Sequence, residues 1–338
     1  MNADRPAPQG LAGWPPPALD PAGPFAEPVN LLSWVLLMVS GLVLLIVFAA
    51  LILALAGPTR WRKALGRPWL VWAGGLAFPT AVLSALLVYG LGLTAQLSQS
   101  PAPGELRVRV TGEMWWWRVT YLDEAGREQL RDANEVHIPT GQPVVFELEA
   151  ADVIHSFWVP RLGGKRDMIP GRRNLLRLQA DRPGVYAGQC AEYCGGPHAL
   201  MGFVVIAHEP EAYHAWRAER ADRAFSPEPA PGPAPQPAPG PAPEPKLEAH
   251  GEQVFADAGC GACHTIAGTS ANGLAGPDLT HVGSRRTLGA GILPNNRGTL
   301  AAWIADSQAI KPGNRMPAYP VLSGRDLGAL AAYLESRK

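Results

Sequence analysis

From Leu31 to Ala56 the chain is almost wholly apolar and uncharged, and a second run of the same kind spans about Leu70 to Ala95. Either run, as a helix, is long enough to cross a hydrocarbon core of roughly 30 Å with some tilt. Arg60, Arg62, Lys63 and Arg67 lie between them, while only Arg5 precedes the first. By the positive-inside rule that short basic loop is cytoplasmic. The pattern predicts a transmembrane helical hairpin over residues 31–97, with the N-terminus and everything after it on the outer side.

The periodicity then changes. Leu106, Val108 and Val110 alternate with Arg107 and Arg109, and Val144 to Glu149 (VVFELE) alternates less strictly. Short runs of this kind between Gly and Pro turns predict an antiparallel sandwich or barrel, here over residues 98–217. From about Ser226 to Pro245, Pro alternates with Ala, Gly, Glu or Gln. Such a stretch forms neither helix nor sheet, and as extended polyproline it would reach roughly 60 Å. Residues 218–246 are therefore predicted to be a semi-rigid tether. Beyond it, residues 247–338 carry short helical segments: Glu248 to Ala258, Thr299 to Ser307, and Ser323 to Ser336, the last opening on a Ser323…Asp326 capping box. Residues 1–30, rich in Pro, Ala and Gly, are expected to be a disordered tail, and no basic segment runs into a short apolar core as a removable signal peptide would.

At 338 residues the chain has room for two soluble domains besides the hairpin. Its formal net charge of zero excludes a generally basic nucleic-acid binder. Four cysteines are present in two pairs, both inside motifs that suggest metal or haem, leaving none for structural disulfides.

The first pair lies in Gln189-Cys190-Ala191-Glu192-Tyr193-Cys194-Gly195-Gly196-Pro197-His198-Ala199-Leu200-Met201. Two thiols, an imidazole and a thioether within one short loop make a soft ligand set that suits copper. Thiols four residues apart can point inward together and bridge a pair of ions. His198 supplies one terminal nitrogen, and the best candidate for the other is His155 in Asp152-Val153-Ile154-His155. Met201 is a weak axial candidate, and the carbonyl of Glu192 another. A C-x-x-x-C pair alone would favour a disulfide or core thiols in an exported domain; the other ligand candidates turn the reading to copper.

The second pair is Cys260-Gly261-Ala262-Cys263-His264, the attachment pattern of a covalent c-type haem with His264 beneath the iron. A sixth ligand is available in Met316 of Asn314-Arg315-Met316-Pro317. His281 is a weaker axial candidate and is expected at the surface. His137, His208, His214 and His250 match no motif and are expected to be structural or solvated.

The copper loop, with the distant segment Asp152 to Pro160, Lys165 to Arg172 (KRDMIPGR) and Arg182 to Tyr186 (RPGVY), closely resembles the dinuclear copper A site of cytochrome c oxidase subunit II. Residues 247–338 are similar to a small class I cytochrome c, with Gly276-Pro277-Asp278-Leu279 as its histidine-supporting loop. Together they resemble the caa-type subunit II, which has a fused cytochrome. The resemblance implies a two-helix transmembrane hairpin, an all-β cupredoxin-like copper domain and an all-α class I cytochrome c domain. It also implies an electron relay from a cytochrome c donor through haem c and copper A to subunit I in a bacterial inner membrane, with oxygen reduced and protons pumped there. The haem would swing on its tether, at an effective concentration of roughly millimolar order.

Trp115 of Glu113-Met114-Trp115-Trp116-Trp117 falls where the family takes in electrons, although Met114 and Trp116 replace the usual Gln and Tyr. The side chain of Glu192 falls where the family binds magnesium at the subunit I boundary. Arg67 to Leu76 (RPWLVWAGGL) lacks the Glu that many members carry at a proton-uptake path. A copper A-containing nitric oxide reductase is the alternative assembly. A quinol oxidase subunit lacks the copper ligands, and a copper-delivery or thiol-redox protein would have no use for the haem module.

Overall fold

The computed structural model describes residues 17–97, 102–225 and 247–338. The predicted tether from 226 onward, and the first half of the expected N-terminal tail, lie outside these residues.

Two helices, Glu27–Ala56 and Pro68–Leu97, are long and apolar enough to cross a membrane, and they bury no residue against the rest of the chain. The basic segment between them is itself a short helix, Thr59–Leu65. Within the second helix, Ala73–Ala77 forms a π turn over Gly74 and Gly75, where the lack of side chains lets the backbone ladder loosen. Residues 17–30, expected to belong to a disordered tail, instead form a 3-10 turn (Pro17–Leu19) and the start of the first helix. They are held because Ala22 is buried and exchanges backbone hydrogen bonds with Arg161 and Asp181, while Asp20 pairs with Arg161 at 2.7 Å.

The copper-loop domain contains ten strands: β1 (Leu106–Glu113), β2 (Trp116–Leu122), β3 (Glu128–Ala133), β4 (Glu135–Pro139), β5 (Val144–Ala150), β6 (His155–Trp158), β7 (Arg166–Met168), β8 (Asn174–Leu178), β9 (Gly184–Cys190) and β10 (Gly202–His208). They form two five-stranded sheets, ordered β3-β2-β1-β5-β8 and β4-β10-β9-β6-β7. The sandwich is not purely antiparallel as expected, since β1 pairs β5 and β10 pairs β4 in parallel. The reason is that β4 crosses to the second sheet before β5 returns beside β1, so those two strands run the same way.

Alternation along β1 buries Val108 and Val110 between the sheets. On the opposite face Arg107 and Arg109 pair with Glu147 of β5, which the parallel register brings alongside. Behind β10, the helix Pro210–Phe225 packs on β3, β4 and β10 through Tyr213, Trp216 and Arg220. It therefore overruns the tether boundary expected at 218: its Ala, Arg and Glu residues favour helix, and its aromatic face has a sheet to cover.

In the C-terminal domain the helices Leu247–Asp257 and Gly324–Ser336 cross. The crossing is tight at Gly251, where a Cβ would lie 2.1 Å from the Ala329 carbonyl oxygen. Ser323 caps the last helix, accepting from the Asp326 amide at 3.2 Å, as its sequence predicts. Between the two crossing helices and the helix Arg297–Ala305 lies a core of Val254, Phe255, Leu300, Ile304, Leu330 and Leu334.

This domain is seated on the copper-loop domain. Arg285 pairs with Asp132 at 2.7 Å, both almost fully buried. A Glu135 carboxylate oxygen accepts from the Arg286 and Thr287 amides at 2.5 and 3.2 Å, and the Gly202 amide donates to the Ala290 carbonyl at 3.0 Å.

Candidate copper and haem centres

The second sheet delivers the copper-loop ligands. His155 opens β6, Cys190 ends β9, and the loop to Met201 closes just before β10. The loop's two ends are pinned by backbone bonds from Cys190 to Met201 at 3.0 Å and from Ala191 to Ser156 at 2.9 Å. The Cys190 and Cys194 sulfurs stand 3.7 Å apart as free thiols. His155 Nδ1 is 3.9 Å from Cys190 Sγ, His198 Nδ1 is 3.5 Å from Cys194 Sγ, and Met201 Sδ is 3.7 Å from Cys194 Sγ. The Glu192 carbonyl oxygen is 3.2 Å from Cys190 Sγ, while its side chain is exposed. All six groups singled out in the sequence thus converge.

Asp152 supports the cluster. Its carboxylate meets His155 Nε2 at 2.9 Å and accepts from the Met114 amide at 2.8 Å. The imidazole is thereby turned so that Nδ1 faces the thiols. Burial pulls His155 down, but its hydrogen bonds with Cys190 and Asp152 outweigh burial and raise its pKa. Burial likewise pushes the Cys190 thiol up, yet the His155 hydrogen bond and backbone hydrogen bonds bring it down to about 7. Burial and the neighbouring Cys190 charge push Cys194 up to about 12. One thiolate forms readily and the second needs a cation to form. That is a donor set suited to bridging thiolates with two imidazoles, a thioether and a carbonyl.

The haem motif opens on a cavity. His264 Nδ1 bonds the Pro277 carbonyl at 2.8 Å, which leaves Nε2 as the nitrogen available to a metal. Burial lowers the His264 pKa and keeps the ring neutral. Gly276 makes room for the ring: a Cβ there would lie 2.6 Å from His264 Cε1. Met316 lines the same cavity with Cys260 and Cys263. Its backbone is fixed by Ser307 and Gln308, which donate to its carbonyl at 2.9 and 2.8 Å. Apolar walls from Leu279, Leu288, Leu300 and Ile304 complete a space that fits a covalent, His/Met-ligated haem.

The cavity is not walled by one domain alone. Glu113, Met114, Trp115, Trp116 and Asn134 of the copper-loop domain also line it. Trp115 donates its Nε1–H to the Cys194 carbonyl at 2.8 Å. The indole thus lies between the two centres.

His281, expected at the surface, is buried at 2% exposure. The docking of the two domains accounts for this, because its neighbours Arg285 and Ser284 are engaged by Asp132 and Arg220. His137 and His208 stack with each other and with Trp216, their ring nitrogens 2.8 Å apart, and burial holds His137 neutral with its pKa down at about 3. His250 pairs with Asp326 at 2.8 Å.

Sequence reasoning missed Asp152, which stands three residues before His155 and was legible in that spacing. It also missed Lys311, Asp132 and Arg285, whose partners lie in the other domain.

The family model "Cytochrome C oxidase subunit II, periplasmic domain" matches residues 110–208, and the model "Cytochrome c" matches residues 248–338. The protein named "Cytochrome c oxidase subunit 2" in Alkalihalophilus pseudofirmus is 37% identical over 335 residues, covering 95% of this chain and 90% of that protein. The chain belongs to the cytochrome c oxidase subunit II family. The subunit 2 of Bacillus subtilis is 32% identical over 247 residues, covering 70% of this chain and 64% of that one. The crystal structure of the periplasmic domain of subunit II from Bradyrhizobium japonicum covers 37% of this chain and 99% of its own, at 28% identity and a TM-score of 0.34. This subunit II carries its cytochrome c behind the copper domain, the caa-type arrangement, and is a two-pass membrane subunit of a cytochrome c oxidase.

Proposed function

We propose that the chain receives electrons for a terminal respiratory oxidase. It takes them from a cytochrome c donor and passes them through haem c and a dinuclear copper A centre to subunit I, where oxygen is reduced to water with proton translocation. The observation that carries this reading is the position of Trp115, bonded to the Cys194 carbonyl and exposed to the haem cavity at once.

Cys260 and Cys263 would hold the haem by thioether bonds, and His264 and Met316 would supply the protein donors to its iron. Cys190, Cys194, His155, His198, Met201 and the Glu192 carbonyl would hold the copper pair. Bound there, haem and copper supply two successive one-electron stations. The chain's own residues keep the ligands from moving between redox states. Trp117, Phe157 and Phe203 pack beneath the copper loop with ring centroids 4.4 to 5.8 Å apart, and Trp117 also lies against His155. A stiff, dry bed of this kind limits reorganisation as charge arrives.

The exposed Glu192 carboxylate is proposed to meet a magnesium ion at the subunit I boundary. The soluble domains face the periplasm, as the basic loop between the helices argues. In this reading the chain's side chains hold and orient the electron carriers, and the oxygen-reducing site belongs to the partner subunit.

The test is rapid reduction of the assembled oxidase by a soluble cytochrome c, followed at the haem c and copper A absorption bands. Sequential reduction, haem before copper, is expected. Copper reduced first, with the haem silent, would refute the order.

A further inference from the structure

Lys311 is the least expected residue at the contact between the two domains. It belongs to the haem domain, is only 2% exposed, and spends all three ammonium N–H groups on backbone carbonyls. These belong to Trp115 at 2.6 Å, Leu200 at 2.7 Å and Gly289 at 2.9 Å. The first two are in the copper-loop domain. The third is on the rim of the haem cavity.

Each of the two copper-side carbonyls belongs to a residue that touches or adjoins a proposed copper ligand. Trp115 is bonded to Cys194, and Leu200 is followed directly by Met201. One ammonium therefore ties the backbone that carries the Trp115 indole, the turn before the thioether and the haem rim to a single point. Burial draws its pKa down to about 7, a sign of how unfavourable the position is for a charge.

Docking strength alone does not account for a lysine here. The two domains are also joined by Asp132–Arg285, by Glu135 with the Arg286 and Thr287 amides, by Gly202–Ala290, and by Arg315–Asp152 at 3.1 Å. An apolar side chain of similar length would fill the space without desolvating a charge. What the ammonium adds is direction, through three N–H groups aimed at three backbone segments.

We propose that Lys311 is a positioning residue for electron transfer, holding Trp115 and the Leu200–Met201 turn in register with the rim of the haem cavity. The proposal rests on the relay reading above. It also makes the haem domain a docked body during transfer to copper, in place of the swinging one that the tether suggested. With haem and copper bound, the step that Lys311 would serve moves one electron from the one to the other, with no proton transferred and no bond made or broken.

The test compares Lys311→Met, Lys311→Gln and Lys311→Arg in the assembled oxidase. Two readouts are taken: the haem-to-copper transfer rate after flash injection of an electron into the haem, and amide hydrogen exchange over residues 113–117 and 198–202. The exchange measurement needs no turnover. Met and Gln variants are expected to transfer at least about tenfold more slowly and to exchange faster in both segments, while Arg restores the rate to within about threefold. If Met does not assemble, Gln is read the same way. A Met or Gln rate within twofold of the unaltered chain overturns the proposal, as do Arg and Met variants that are equally slow. Absence of haem-to-copper transfer in the unaltered chain would instead sink the relay reading itself.

Discussion

Trp115 and Cys194 are joined by an indole N–H donated to a carbonyl at 2.8 Å, across 79 residues of sequence. The bond fixes the ring against the loop that carries both copper-site thiols, and Trp115 also lines the haem cavity. Replacing Trp115 by Phe keeps an aromatic ring but removes the donor. Transfer from haem to copper is expected to slow by at least about tenfold, with the copper spectrum unchanged, as read by flash kinetics and electron paramagnetic resonance.

Asp152 turns His155 by its bond to Nε2 and also accepts from Met114 and Arg315. Asp152→Asn leaves all copper ligands in place but weakens the orientation of one. Copper affinity, measured by competition with a chelator, is expected to fall about 10- to 100-fold. An unchanged affinity would mean that His155 is held by packing alone.

Asp132 and Arg285 form a buried ion pair between the domains, each with almost no exposure. Asp132→Ala leaves the Arg285 guanidinium buried, still donating to the neutral Asp278 carbonyl but without its carboxylate. A loss of about 3 kcal/mol or more in the stability of the docked form is expected by calorimetry of the full chain, because an uncompensated charge remains.

Glu135 gives the contact a pH dependence. Burial, then the nearby Asp132 charge, raises its pKa from 4.5 to about 7. The folded protein therefore holds this proton where the unfolded chain has released it. The resulting stabilisation is present in full below about pH 4.5 and is lost as the pH rises through about 7. It amounts to about 3 kcal/mol at most. Glu135→Gln is expected to flatten the fall in melting temperature between about pH 5 and 8. An identical slope in both proteins would remove Glu135 as its source.

Both candidate sites were legible because the residues proposed to hold copper and haem fall in short runs: Cys190 to Met201 in one loop, Cys260 to His264 in another, with His155 and Met316 set in recognisable surroundings. The hairpin was legible from apolar length alone. What lay outside the reach of periodicity was docking. Asp132 and Arg285 are 153 residues apart, and nothing local marks either as half of a pair. Lys311 reads as an ordinary surface cation until three carbonyls are brought around it by two domains. The ordered segment from Pro17 was hidden for a similar reason: its composition favours disorder, and it is held by distant Arg161 and Asp181.

The chain is proposed to carry a copper pair beside a haem. The most direct measurement is metal analysis of the purified, oxidised protein together with optical and electron paramagnetic resonance spectra. Two coppers per chain sharing one unpaired electron, alongside one haem c with a methionine-ligated band, are the predicted result. A single copper or none, or Cys190 joined to Cys194 in a disulfide, would contradict it.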